Sequence, residues 1–138
     1  MTATPALAHM EERKITLTTG KSNWSTRVRI ADDPQEQAAG FQSICSGSYK
    51  DTQILFVYDQ AFRARFHMRN VRAKLDIGFF DAEGNLFEVQ KMHPYPKGSQ
   101  RGPLTAPSKP FRFALEAQAG YFAENQLQAG KTRLQWHD

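Results

Sequence analysis

The sequence is poor in features that announce a function. It has one cysteine, Cys45, among 138 residues, which excludes an intrachain disulfide and any cysteine-rich zinc module. No stretch approaches the roughly 18 consecutive apolar residues of a membrane-spanning helix, so no membrane span is expected. There are no internal repeats, no heptads and no low-complexity tract. No glycine-rich phosphate loop follows a strand pattern, and Ser46-Gly47-Ser48 lacks the strand–turn–helix setting of a nucleophile elbow. The histidines, His9, His67, His93 and His137, form no H-x-H or H-x-x-x-H pair. A metal would need ligands distant in the chain, and the reading is of no metal and no cofactor. Cys45 with His67 or His93 would make a thiol dyad, a pattern that any lone cysteine and histidine can suggest.

What is present is ordinary in bulk. A mass of 15.7 kDa is that of one domain. Hydrophobic residues are 40% and charged residues 23%, as in a soluble globular protein. Ten phenylalanines favour a packed core. The net charge is +4, a modest basic excess.

Residues 1–14 read as a flexible leader or an expression remnant, and residues 15–138 as the single domain. Ala6-Leu7-Ala8 fits a small-x-small cleavage site, but the charged and apolar stretches of a signal peptide do not precede it. Neither a cytoplasmic nor an exported location is fixed by this.

Along the chain, alternation predicts strands at Ile15–Leu17, Ser25–Ile30, Ala61–Arg69, Phe111–Glu116 and Lys131–Trp136, with a continuous apolar run at Ile54–Tyr58. Asp33, Pro34 and Glu36 carry the N-cap, first-turn and capping-box pattern of a short helix that stops at Gly40. Leu75–Phe80 and Leu86–Met92 flank Asp81–Asn85 as a hairpin, with Gly84 free to take positive φ. Gly120–Asn125 suits a second short helix. Segment 93–110, rich in proline, reads as a long loop of the kind that is often functional. The expected fold is mainly β or α+β: one compact domain with a curled, antiparallel-rich sheet or small barrel and two short helices.

Two features could carry chemistry. Taken as a strand, Phe62–Arg69 puts Phe62, Ala64, Phe66 and Met68 on one face and Arg63, Arg65, His67 and Arg69 on the other. Arg72 and Lys74 continue the positive run. Cations in a row repel unless anions meet them, so this is either a solvated face paired with carboxylates or a site for an anionic partner. Asp76 and Glu116 each interrupt an apolar strand. A carboxylate there needs a cation or hydrogen-bond donors. It either holds the fold or lines a polar cleft as an acid, base or ligand-orienting group.

The order of several pieces resembles domain-of-unknown-function family 192. These are Ala31-Asp32-Asp33-Pro34-Gln35-Glu36-Gln37-Ala38-Ala39-Gly40-Phe41, Ile54–Tyr58, Phe66-His67-Met68-Arg69-Asn70, Leu75-Asp76-Ile77 with Phe80–Gly84, and Phe113–Ala117 with Gly120. The resemblance covers about residues 27 to 136. It implies a compact, mainly β fold with short helices and no established activity. The family's usual tryptophan before the methionine is His67 here, and its Gly-Leu-Met-x-Arg after the first helix is Gly40-Phe41-Gln42-Ser43-Ile44. Met68, Asn70, Asp76, Glu116 and Gly120 match the pattern. The resemblance makes Asn70, Asp76 and Glu116 candidates for a shared polar network.

The expected function is a small binding or accessory domain. Its polar, partly cationic cleft, with Arg65, His67, Arg69, Asn70, Asp76 and Glu116, would take an anionic or polyhydroxylated ligand or an acidic protein surface. A hydrolase or lyase using Asp76, Glu116 and His67 is the first alternative. A nucleic-acid or polyanion binder is the second, disfavoured by the modest charge and the lack of a nucleic-acid motif.

Overall fold

The computed structural model describes residues 9–42 and 50–137. Cys45, Ser46-Gly47-Ser48 and the small-residue motif at residues 6–8 lie outside the described residues.

Strands β1 (Glu11–Thr19) and β2 (Ser22–Ala31) form a hairpin, Thr19 opposite Ser22, across a turn in which Gly20 has a φ of 59°. Helix α1 (Pro34–Ala39) follows. Asp33 caps it by accepting from Glu36 N at 2.8 Å, and Glu36 Oε1 reaches back to Asp32 N at 3.3 Å, one residue before the usual capping-box partner. Strand β3 (Ile54–Phe62) then runs parallel to β2, with Ile30 opposite Leu55. The hairpin of β4 (Leu75–Phe80) and β5 (Leu86–Met92) is closed by Gly84 with a φ of 90°, as its sequence predicts. β6 (Phe111–Gln118), α2 (Tyr121–Glu124) and β7 (Thr132–Gln135) complete the chain.

The seven strands lie in the order β5-β4-β6-β3-β2-β1-β7. Every pair except β2–β3 is antiparallel. The two outer strands approach one another: Leu134 N donates to Gly84 O at 2.7 Å and Gly130 N to Leu86 O at 2.9 Å. The sheet is therefore curled into a half-barrel, as the alternating apolar pattern implied.

Apolar residues fill both faces. The concave side holds Leu17, Ile30, Leu55, Phe80, Leu115 and the α2 residues Tyr121 and Phe122. Gly78 makes room for that helix, since a Cβ there would lie 2.5 Å from Phe122 Cε2. The other side packs Ile54, Phe56, Ile77 and Phe79 beneath Phe41 and the Phe66–Val71 segment. That second layer carries the candidate site.

Three expectations are corrected. The strand expected over Ala61–Arg69 stops at Phe62, and residues 63–69 form an irregular extended segment. β6, its neighbour, begins at Phe111, and Pro107 and Pro110 before it have no N–H to donate to a ladder. Within the segment Phe66 makes the one β-bridge, to Thr105, exchanging hydrogen bonds of 2.7 and 2.9 Å. Phe66 and Met68 are nevertheless buried and Arg63, Arg65 and Arg69 exposed, so the two-sided division survives without the strand. Phe62, expected on the buried side, is 37% exposed. Second, the alternation over Phe111–Glu116 puts Phe111, Phe113 and Leu115 on one face, yet Phe111 and Phe113 do not share one. The register slips between Val57 and Phe62, so Phe111 packs on Phe66 and Phe79 while Phe113 meets Trp136 on the other side. Third, β1 begins at Glu11, four residues inside the expected leader, and Met10 is buried.

Candidate functional site

A cleft of about 270 Å³ opens between the end of α1 and the Arg65–Arg69 segment. Its floor is Phe56, Tyr58 and Glu116, and Ala38–Gly40 and His67–Met68 form facing walls. Arg65 and Arg69, both exposed, stand at the rim.

Period-two geometry puts Glu116 there. Leu115 and Ala117 point into the concave core, so Glu116 points to the opposite side, where its strand neighbours are Ile54 and Ile77. The residue is 4% exposed. Burial raises its pKa to about 8, and among the described residues no cation or hydrogen bond opposes the rise. The carboxyl is therefore largely protonated at neutral pH and can both donate and accept a hydrogen bond. Tyr58 is pushed far above its ordinary value, first by burial and then by the charge of Glu116. Gly40 closes the cleft from above. It has a φ of 46° and a ψ of −128°, and a Cβ built on it would lie 3.5 Å from Glu116 Oε1 and 3.4 Å from Phe56 Cζ. An added Cβ would make only ordinary contact there, so it is the positive φ, which L side chains rarely adopt, that favours glycine at this approach to the carboxyl.

His67 is half-buried, and its Nδ1 accepts from Arg69 N at 3.1 Å. Burial and then the charge of Arg69 lower its pKa, partly opposed by a hydrogen bond to the Ala38 backbone. The ring is neutral at pH 7, so the positive run counts Arg65 and Arg69 but not His67. Asn70 lies just outside the cleft with a left-handed φ of 58°. Its amide donates to Gln42 Oε1 at 3.1 Å and accepts from Gln100 Nε2 at 3.2 Å. It ties the end of α1 to the proline-rich loop.

Asp76 belongs elsewhere. Leu75 and Ile77 face the cleft side, so Asp76 faces the concave side with α2. Oδ2 accepts from Gly120 N at 3.0 Å, and Lys91 Nζ lies 3.6 Å from Oδ1, which makes no hydrogen bond. Asp76 and Glu116 thus sit on opposite faces of the sheet. They cannot flank one reacting bond, nor can Asn70, Asp76 and Glu116 form one network. Asp76→Ala should cost about 1–3 kcal/mol in urea denaturation by freeing the amide that anchors α2. Asp76→Asn should recover part of that loss, because its side-chain oxygen still accepts.

One group of carboxylates among the described residues is close enough to hold a metal: Asp32, Asp33 and Glu36. Asp33 and Glu36 already accept backbone N–H groups at the start of α1, which accounts for the cluster. A second cleft, about 390 Å³, lies beside Trp136, Arg112 and Arg133 near the β5–β7 seam. Arg13 covers the Trp136 ring at 4.5 Å. The sequence pattern pointed to neither this cleft nor the roles of Gly40 and Tyr58; Gly40 was legible only as a helix stop.

With this geometry in place, the family is decided by one comparison. The model of domain-of-unknown-function family 192, described as "Uncharacterized ACR", matches residues 15–136. The chain belongs to that family. Two solved structures share the family 192 chain's fold. A Sinorhizobium meliloti 1021 protein, described provisionally as a transcription regulator, superposes with a TM-score of 0.79 at 20% identity, over 91% of this chain and 94% of the other. A Novosphingobium aromaticivorans DSM 12444 protein of unknown function gives 0.76 at 19% identity, over 98% and 91%. No curated protein matches the sequence. Among the described residues, no helix is long and apolar enough to cross a membrane.

Proposed function

We propose that this family 192 protein is a small ligand-binding domain and that the cleft above Glu116 is its site. The observation that carries the reading is a buried carboxyl at the floor of a cleft with two arginines at its rim. A buried ionisable group with no partner among the described residues costs stability and is retained most readily where something uses it. A protonated Glu116 would meet a hydroxyl of the ligand, and Arg65 and Arg69 would hold its anionic group. The volume suits a small molecule. The ligand class is therefore a small, hydroxylated anion.

A thermal-shift screen of sugars, phosphates, carboxylates and nucleotides tests this. Anionic members should raise the melting temperature, and Arg65→Ala with Arg69→Ala should abolish the rise without lowering the unliganded value. No shift with any member, or the same shifts in the double variant, would refute the assignment.

A further inference from the structure

The cleft does not end at Arg65. That residue also lines a neighbouring groove of about 450 Å³ with Arg63, Ala64, Ala106, Pro107 and Lys109. The Phe66–Thr105 bridge creates the groove by holding the 105–109 segment alongside residues 63–66. Its walls, Ala106 and Pro107, are apolar or small, and its polar chemistry is almost entirely cationic. Lys109 is held in place, with Nζ 4.6 Å from the centre of the Phe87 ring. Among the described residues, Arg63, Arg65 and Lys109 form no ion pair with a carboxylate. The acid on this side of β5, Glu88, is already engaged by Ser108 N and Oγ at 3.0 and 2.7 Å and by Gln90. Three cations facing one groove repel each other unless an anion joins them.

We propose that the ligand is elongated and carries two anionic groups, phosphates or carboxylates, one held at the cleft rim by Arg65 and Arg69 and the second in the groove by Arg63 and Lys109. This rests on the cleft reading above and adds the class of ligand to it. Arg65, common to both cavities, is the hinge of recognition. It can offer separate edges of its guanidinium to the two groups.

Calorimetric titration of the full chain with orthophosphate, pyrophosphate and tripolyphosphate, and separately with acetate and citrate, tests the proposal. The longer polyanion of one series should bind at least about tenfold more tightly than its single-group member. The two series tell phosphate from carboxylate recognition. Arg63→Ala with Lys109→Ala should remove that gain and leave the single-group affinity unchanged. Arg65→Ala should weaken every member. Both substituted groove residues are exposed, so thermal melting of the double variant should match the parent. Equal affinities along both series, or a gain that survives the groove double variant, would overturn the elongated ligand while leaving the cleft reading intact. Failure of every anion to bind would refute both. A single-stranded oligonucleotide that binds more tightly than tripolyphosphate, with a steep loss in salt, would replace the small ligand with nucleic acid.

Discussion

Glu116→Gln should raise the stability of the protein at pH 9 and leave it nearly unchanged at pH 4. The folded-state pKa of Glu116 is pushed up to about 8, above its ordinary value of 4.5. Between those two values the folded protein holds a proton on this carboxyl that the unfolded chain has released. Stability therefore falls as pH rises through the window, at up to about 1.4 kcal/mol per pH unit. Below 4.5 both states are protonated and the burial of a neutral carboxyl resembles that of an amide. Above 8 both are ionised and the full cost, on the order of 5 kcal/mol, is present. That is comparable with the whole stability of a small domain. Glutamine removes the titration while keeping the shape. The difference in unfolding free energy between variant and parent should grow from pH 4 to 8 and then level off. A difference that stays flat over this range would mean that Glu116 titrates as a solvated carboxyl.

The second large effect concerns the seam that curls the sheet. Gly84→Ala should destabilise the protein by about 2–4 kcal/mol. Gly84 has a φ of 90°, a conformation costly for alanine, and its added Cβ would lie 2.4 Å from Leu134 O. That oxygen is backbone, and its own residue donates to Gly84 O at 2.7 Å, so it cannot retreat without opening the contact between the β4–β5 turn and β7. Gly130→Ala is the control. Gly130 has a φ of 84°, but no atom lies within 4 Å of its added Cβ, so only the conformational part of the loss should appear. Equal losses in urea denaturation for the two substitutions would show that the seam tolerates the extra atom.

Local signals carried most of the architecture. Asp33, Pro34 and Gly40 delimit α1 because a cap, a fixed φ and a left-handed stop act within a few residues of chain. The β4–β5 hairpin was legible for the same reason, through Gly84. The failures share a cause. Alternation in Ala61–Arg69 reports that one side is buried, and the segment is indeed two-sided. It does not report whether a neighbour can supply a ladder, and the prolines at 107 and 110 remove that neighbour's donors. The slip that separates Phe111 from Phe113 depends on how β3 and β6 register, which neither strand's own sequence contains.

The residues of the candidate site were half legible. A carboxylate inside an apolar strand marked both Asp76 and Glu116 as unusual. Which face each occupies follows from the parity of its strand: one became the anchor of α2 and the other the floor of the cleft. Arg65, His67 and Arg69 do gather near Glu116, although burial leaves His67 neutral. The contribution of Gly40 depends on α1 folding over β3 and β6, a contact between residues 76 positions apart that no local pattern encodes.

The most direct test of the cleft as the binding site is an amide NMR titration with pyrophosphate, comparing the parent with Arg65→Ala. Shifts are expected at Gly40, Gln42 and His67–Arg69 in the cleft and at Arg63, Ala106 and Lys109 in the groove, reduced together in the variant at the same pyrophosphate concentration. Shifts centred instead on Arg133–Trp136, or identical in the two proteins, would contradict the assignment.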